Sequence, residues 1–220
     1  SVPLTSPING GTLYTGTSLN DFGLTNGTTY YYVVTAVDTS TNQSLASNEV
    51  NATPLASLGT GLRFDGANDY VTFETAPGLG VTDFTIETWF YWNGGGIATT
   101  TSTTQGLVSV IPLVSKGRGE ADGSNVDMNF FLGIDTATGA LAADFEDMAT
   151  GLNHPVIAST PVSTNTWHHA AATYDSVTGV WNIYLDGALD TTLDIGNNIL
   201  PRSDSIQHAG LATAMTSTGI

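Results

Sequence analysis

The sequence lacks several features that would point to familiar classes of protein. It has no cysteine, which excludes a disulfide framework and thiol catalysis. Only 4 of its 220 residues are Lys or Arg against 20 Asp or Glu, so the net charge is −16. Because this charge repels phosphate groups and anionic lipids, we expect no nucleic-acid partner and no binding to a membrane surface. No run of about 18 apolar residues predicts membrane insertion, and residues 1–20 do not resemble a signal peptide.

The sequence does contain enough apolar material for a folded core. Hydrophobic residues make up 40% of the chain and include 4 Trp, 8 Tyr and 8 Phe. A chain of this composition buries enough surface to fold despite its high charge. Abundant Thr, Ser, Asn and Gly with scarce Lys favour an extracellular location, either secreted or at a cell surface. The absence of cysteine does not itself fix the compartment.

Short segments with alternating apolar and polar residues predict an all-β sandwich. In residues 84–92, for example, Phe84, Ile86, Phe90 and Trp92 share one face. Turn dipeptides separate the segments, and Asp186-Gly187 predicts a type I′ hairpin between residues 181–185 and 188–193. Further strands are predicted at residues 61–73, 113–116, 125–134, 140–146 and 166–174.

The first part of the chain resembles a fibronectin type III module. Residues 24–38 are similar to its corner and penultimate strand, and residues 47–54 are similar to its last strand. The tight turn before Tyr30 allows the tyrosine hydroxyl to reach back to the backbone of this corner. The resemblance implies a partial module at residues 1–54, which residues 55–60 connect as a linker to the rest of the chain.

Four later segments resemble a laminin-G-like jelly roll of the concanavalin A-like lectin/glucanase superfamily. They are residues 62–71, 84–89, 166–170 and 181–187. The resemblance implies a jelly-roll β-sandwich at residues 61–220, in which the closing strand of the family is missing. We expect either that the chain is a piece of a longer polypeptide or that another chain supplies the missing strands by strand addition.

Acidic residues at two places suggest a calcium site, and resembling jelly rolls often hold calcium at a loop or rim. Asp65 and Asp69 lie in a turn-like sequence in which carboxylates and carbonyls can converge on a hard cation, although Asp65 can also simply cap the turn. Asp144 and Glu146 project from one face of a strand, about 7 Å apart. The alternative is an ordinary solvated sheet face. The complete set of predicted calcium ligands is Asp65, Asp69, Asp127, Asp144, Glu146 and Asp147.

A second set of residues suggests a ligand-binding surface. Tyr91 offers an aromatic ring for stacking on a sugar. Trp89, Trp167 and Trp181 lie in framework segments, so we expect them in the core, and we expect structural roles for the histidines. The residues predicted to bind a ligand are Tyr91, Arg118, Asn125, Asn129, Asn153 and His154.

These observations predict a non-enzymatic extracellular module for adhesion or binding, which recognises a glycan or a protein and is stabilised by calcium. It would form part of a larger surface or secreted polypeptide. One alternative is a structural subunit of an extracellular fibre or surface layer, in which copies of the chain assemble by strand addition. Another is a glycoside hydrolase that uses Asp144 and Glu146. The carboxylate motif of the superfamily's glucanases is absent, which counts against the hydrolase.

Overall fold

The chain divides into two compact units, Ser1–Leu62 and Arg63–Ile220. The computed structural model describes residues 8–10, 12–54, 61–119 and 127–218. The linker predicted at residues 55–60 lies outside this part of the chain. None of the helical structure in the described ranges is long and apolar enough to cross a membrane.

In the described part of the first unit, β1 (Tyr30–Tyr32) and β2 (Val50–Ala52) form an antiparallel strand pair. The Tyr30 hydroxyl accepts a hydrogen bond from the backbone N–H of Thr25 at 2.9 Å. This is the contact that the turn before Tyr30 predicts. That the unit belongs to a fibronectin type III module remains a prediction.

The second unit is an all-β, jelly-roll-like sandwich of two antiparallel sheets. The four-stranded sheet has the order β11-β10-β9-β4, and the six-stranded sheet has the order β3-β12-β5-β6-β7-β8. A short 3₁₀ helix, Pro77–Leu79, follows β3. The strands are β3 (Val71–Thr72), β4 (Phe84–Tyr91), β5 (Val110–Lys116), β6 (Phe130–Asp135), β7 (Ala140–Asp144), β8 (Val156–Pro161), β9 (Trp167–Asp175), β10 (Val180–Leu185), β11 (Ala188–Asp194) and β12 (Ala209–Leu211).

An aromatic core joins the two sheets. The ring of Phe145 lies 4.5 Å from that of Tyr174 and 5.3 Å from that of Trp181. Trp181 is fully buried, as its framework position predicts. Ile86 and Phe90 enter the same core from β4, so the prediction that these two residues share one face is confirmed. The odd-numbered residues of β4 therefore point away from the core.

The six-stranded sheet is also covered on its other face. Leu107, Met128 and Ala214 pack there with Phe131 of β6 and Ala142 of β7. Every residue of β6 and β7 is consequently buried. A continuous buried run of this kind is typical of a strand with packing on both faces.

Several strand boundaries differ from the sequence-based expectation. A strand is predicted at residues 61–73, but in the structure only Val71–Thr72 (β3) form one. β6 begins at Phe130 rather than at residue 125. β8 and β12 are not among the predicted strands. β12 pairs with both β3 and β5. That a further closing strand is missing from the chain stays a prediction. The predicted hairpin between β10 and β11 is confirmed, since Asp186 (φ 52°) and Gly187 (φ 79°) both have the positive φ of a type I′ turn.

Candidate functional site

Exposed aromatic side chains lie on the outer face of the four-stranded sheet. Trp89 and Tyr91 on β4 pair directly with His169 and Trp167 on β9. The ring centroids are 5.2 Å apart in the Trp89–His169 pair and 5.7 Å apart in the Tyr91–Trp167 pair. Trp89, Tyr91 and Trp167 are 67%, 44% and 55% exposed. We call these four residues the aromatic strip.

The strip corrects one expectation from the sequence. Trp89 and Trp167 were expected in the core, and the structure shows that this was wrong. Ile86 and Phe90 already occupy the inward positions of β4, so Trp89 projects outward with Tyr91. Period-2 alternation in residues 84–92 carried this information, because it placed Trp89 on the face opposite Phe90.

Two carboxylates lie beside the strip. Glu87 Oε2 is 3.6 Å from His169 Nε2. Asp186, in the β10–β11 turn, accepts a hydrogen bond from the backbone N–H of His169 at 2.8 Å, and its other oxygen lies 2.8 Å from His168 Nδ1. The His169 N–H and then His168 hold the pKa of Asp186 below its usual range. The edge of the strip is therefore negatively charged.

Three acidic side chains predicted as calcium ligands are buried together against the six-stranded sheet. Asp127 and Asp144 are fully buried and Glu146 is 1% exposed. The charges of Asp127 and Asp144 both act on Glu146. We call these three residues the acidic cluster. The sequence correctly placed Asp144 and Glu146 near each other, but neither lies on a solvated sheet face.

Asp144 is held by three hydrogen bonds. Its carboxylate accepts from the Thr101 hydroxyl at 2.5 Å, from Asn153 Nδ2 at 3.0 Å and from the backbone N–H of His154 at 2.9 Å. Thr101 also accepts a hydrogen bond from the backbone N–H of Leu107, which anchors Thr101 against the carboxylate. Burial outweighs the hydrogen bonds and raises the pKa of Asp144 to about 7.

Glu146 has buried oxygens that lack a partner. Neither carboxylate oxygen of Glu146, nor Oδ1 of Asn153, has a hydrogen-bond partner among the described residues. The two residues face each other in an antiparallel bridge, so their side chains project to the same side. Burial, and then the charges of Asp127 and Asp144, raise the pKa of Glu146 to about 9, although Arg202 opposes the shift. A buried carboxylate in this setting needs a proton or a cation.

The other predicted calcium ligands have structural roles here. Asp65 accepts hydrogen bonds from the backbone N–H groups of Ala67 and Asn68, and Asp69 accepts one from the N–H of Asp65. Asp147 similarly caps the turn that follows it. Within the described ranges, no three His, Cys, Asp or Glu side chains form a group that could hold a metal ion.

The remaining predicted ligand-binding residues do not form one surface with Tyr91. The side-chain amide of Asn129 is buried and pairs with the backbone of Val81. Arg118 follows β5 and is half-buried. His154 lies 3.1 Å from Asp147 at the wall of a largely apolar cleft of about 450 Å³. Asn153 belongs to the surroundings of the acidic cluster, and residue 125 lies outside the described residues.

Three solved structures show limited similarity to the chain. A Ruminococcus gnavus IT-sialidase CBM40 bound to α2,3-sialyllactose is 19% identical, with 64% of this chain and 68% of that chain covered and a TM-score of 0.45. A leech intramolecular trans-sialidase complexed with 2,7-anhydro-Neu5Ac is 16% identical, with coverages of 70% and 23% and a TM-score of 0.43. A heptameric SAP-like pentraxin from Limulus polyphemus is 14% identical, with coverages of 60% and 52% and a TM-score of 0.35. No curated protein matches the sequence.

The two packed antiparallel sheets define the second unit as a jelly-roll-like β-sandwich domain. A family model matches residues 65–213, which is most of that unit. The chain therefore belongs to the concanavalin A-like lectin/glucanases superfamily. The resemblance identified in residues 62–187 is confirmed at this level.

Proposed function

We propose that the chain is a non-enzymatic, glycan-binding module of a secreted or cell-surface polypeptide. The observation that carries this proposal is the aromatic strip. Rings on an open sheet face can stack on the apolar faces of pyranose rings, while polar groups at the edge hydrogen-bond to sugar hydroxyls. Trp89 and Tyr91 are two residues apart on β4, about 7 Å along the strand. This spacing suits contact with adjacent units of an oligosaccharide.

The position of the acidic cluster supports a non-enzymatic role. A glycoside hydrolase needs both of its carboxyl groups beside the scissile bond. Asp144 is fully buried and Glu146 is 1% exposed, and Thr101 covers Asp144. A polysaccharide cannot contact either carboxyl group unless the structure around these buried side chains opens. The hydrolase alternative therefore lacks accessible catalytic groups.

A glycan array followed by calorimetric titration of the strongest binder tests the proposal. We expect Trp89→Ala and Trp167→Ala each to weaken binding about tenfold or more, as is typical for loss of an anchoring aromatic contact. Val177→Ala is the matched control, because this 68% exposed side chain lies in the β9–β10 turn, at the other end of β9 from Trp167. Absence of binding to every glycan, or equal binding by all three variants, contradicts the proposal.

We also propose that calcium stabilises the domain and that Glu146 takes part in holding it. Support comes from the unpartnered buried oxygens of Glu146 and Asn153, because calcium prefers carboxylate and amide oxygen ligands. When bound, the ion would neutralise the acidic cluster. The donors contributed by these two side chains are fewer than calcium requires, so further oxygens have to complete the site.

Thermal unfolding in calcium and in chelator tests this second proposal. At a calcium concentration of about 100 times Kd, the ion adds about 2.7 kcal/mol of stability, or roughly 5–10 °C in Tm. Glu146→Gln should abolish this shift, whereas Glu74→Gln, an exposed position after β3, should retain it. If Asp65→Asn instead abolishes the shift, the calcium site lies in the Asp65–Asp69 turn. Identical melting curves with calcium and chelator contradict calcium binding.

One observation favours a second candidate function, assembly into a fibre or surface layer. In the described part of the chain, β4 lies at the edge of the four-stranded sheet and pairs only with β9. An edge strand with exposed aromatic side chains is a template for pairing with another copy. Light scattering over a range of concentrations distinguishes the candidates, since assembly predicts growing oligomers and glycan binding alone predicts discrete particles.

A further inference from the structure

The four basic residues of the chain lie outside the strands of the four-stranded sheet. All four Lys and Arg residues lie in the described ranges: Arg63, Lys116, Arg118 and Arg202. Arg63 precedes β3, Lys116 ends β5, Arg118 follows β5, and Arg202 precedes β12. Each of these strands belongs to the six-stranded sheet. The four-stranded sheet therefore contains no Lys or Arg in any strand.

Two of these basic side chains, Lys116 and Arg202, are buried and have partners within the protein. Lys116 is fully buried, and its Nζ donates hydrogen bonds to the backbone carbonyls of Thr75, Ser205 and Gln207 at 2.8, 3.1 and 3.0 Å. Burial also lowers the pKa of Lys116. Withdrawing this side chain to meet a ligand would leave three carbonyls without their donor.

Arg202 is similarly engaged. It is 5% exposed, and its Nε lies 3.3 Å from Asp204 Oδ1. Arg118 is half-buried, with its Nε shielded from solvent. Of these four residues, all of which the structure describes, only Arg63 is exposed, and it lies on the segment before β3. No strand that carries the aromatic strip offers a permanent positive charge.

The charged groups beside the strip are instead acidic. The Glu87 side chain is 66% exposed and the Asp186 side chain is 50% exposed. Both contact His169, which is a member of the strip. Sialic acid, uronic acids and sulfated sugars would place a negative charge next to these carboxylates. On binding, the anionic group of such a ligand would lose its hydration. It would then lie beside carboxylates of the same charge rather than beside a cation.

We infer that the aromatic strip selects neutral glycans and rejects acidic ones. This inference rests on the proposed function and names the ligand class of that same surface. Neutral sugars offer apolar ring faces to Trp89, Tyr91 and Trp167, and hydroxyl groups that donate to the Glu87 carboxylate. The −16 net charge acts in the same direction at longer range by slowing the approach of an anionic ligand.

An array of matched pairs tests this selectivity. Each neutral oligosaccharide is printed beside its sialylated or sulfated form, and the strongest neutral binder and its acidic partner are then titrated in solution. We expect at least tenfold weaker binding of the acidic partner at low salt. Raising the ionic strength from 0.01 M to 1 M should narrow this ratio, because the Debye length falls from about 30 Å to about 3 Å.

Two variants that each remove one negative charge test whether Glu87 causes the selectivity. Glu87→Gln should reduce the neutral-to-acidic affinity ratio severalfold, while Glu74→Gln, which removes the same charge after β3, should leave the ratio within about twofold. Acidic partners that bind as well as or better than neutral ones overturn the selectivity but leave glycan binding intact. Binding to no glycan of either kind overturns the proposed function itself. An unchanged neutral-to-acidic affinity ratio in Glu87→Gln would show that the selectivity does not arise at the aromatic strip.

Discussion

The aromatic strip and the acidic cluster are opposites in residue type and in environment. Tryptophan, ordinarily a core residue, faces solvent in the strip, where Trp89 is 67% exposed. Carboxylates, ordinarily surface groups, are buried in the cluster. Residue type alone would therefore place the tryptophan in the core and the carboxylates at the surface. Each side chain's role depends on whether another layer of chain covers its face of the sheet.

The covering layer explains the difference. Leu107 and Ala214 pack on the outer face of the six-stranded sheet and close it. The corresponding face of the four-stranded sheet carries exposed side chains, including Glu87 and Trp89. Substitutions in the acidic cluster should thus affect mainly stability, and substitutions in the strip should affect mainly binding. The following predictions test that separation.

The largest effect on stability is expected from Asp144→Ala. The substitution leaves the Thr101 hydroxyl, Asn153 Nδ2 and the N–H of His154 without their acceptor. Because buried donors without acceptors are costly, unfolding free energy should fall by about 3 kcal/mol or more. Asp144→Asn keeps the shape and one acceptor oxygen, so we expect a smaller loss. Chemical denaturation measures the stability of both variants. An Asp144→Ala variant as stable as the parent would show that the Asp144 carboxylate does not hold these three donors in the folded protein.

A second effect on stability is expected from pH in the presence of chelator. The pKa values of Glu146 (about 9) and Asp144 (about 7) lie above the ordinary values of 4.5 and 3.8. The folded protein therefore binds more protons than the unfolded chain between these limits. This contribution to stability is complete below about pH 4 and is lost as pH rises toward 9.

Denaturation at pH 5 and pH 8 measures the loss, and we expect a lower unfolding free energy at pH 8 than at pH 5. Glu146→Gln cannot release this proton, so its stability should fall less over the same interval. Calcium should also reduce the fall, since the ion would replace the proton as the neutralising charge. A parent protein that becomes more stable from pH 5 to pH 8 would contradict the raised pKa values.

A smaller stability effect is expected from Asp186→Ala. The change removes the acceptor for the His169 N–H and the partner of His168 Nδ1. Because Asp186 is half exposed, we expect a loss of roughly 0.5–1 kcal/mol, together with weaker glycan binding through His169. Asp194→Ala is the control, since this carboxylate at the other end of β11 accepts an N–H from Gly196. If both variants lose glycan binding equally, Asp186 has no specific role in supporting the aromatic strip.

The smallest stability effect is expected from Trp89→Ala. Exposed substitutions away from buried networks usually change unfolding free energy by no more than about 0.5 kcal/mol. The same variant should lose glycan binding, so the two measurements together distinguish a binding residue from a core residue. A loss of 2 kcal/mol or more in unfolding free energy would place Trp89 in the packing of the domain.

The sequence predicted the fold well where local patterns determine the structure. The alternation in residues 84–92 correctly grouped Ile86 and Phe90 on one face of β4, and Asp186-Gly187 correctly indicated the hairpin. It predicted less where distant segments meet. β8 was missed because its sequence, Val-Ile-Ala-Ser-Thr-Pro, has little apolar alternation. β12 is only three residues long and is defined by its partners β3 and β5.

The candidate site was harder to predict than the fold. Asp144 and Glu146 were placed on one face, but Asp144 is buried against Thr101, which is 43 residues away in sequence. No local pattern reveals such a contact. The outward orientation of Trp89 was readable from alternation, whereas the openness of its sheet face was not, because openness depends on where every other segment packs.

The Thr101 hydroxyl acts as a latch between a surface segment and the sheet beneath it. It accepts a hydrogen bond from the backbone N–H of Leu107 and donates one to the carboxylate of Asp144. Valine has nearly the same shape but would break both links at once. Residues 103–105 are exposed, so we expect the domain to tolerate insertions or deletions there, provided that Thr101 and Leu107 keep their positions.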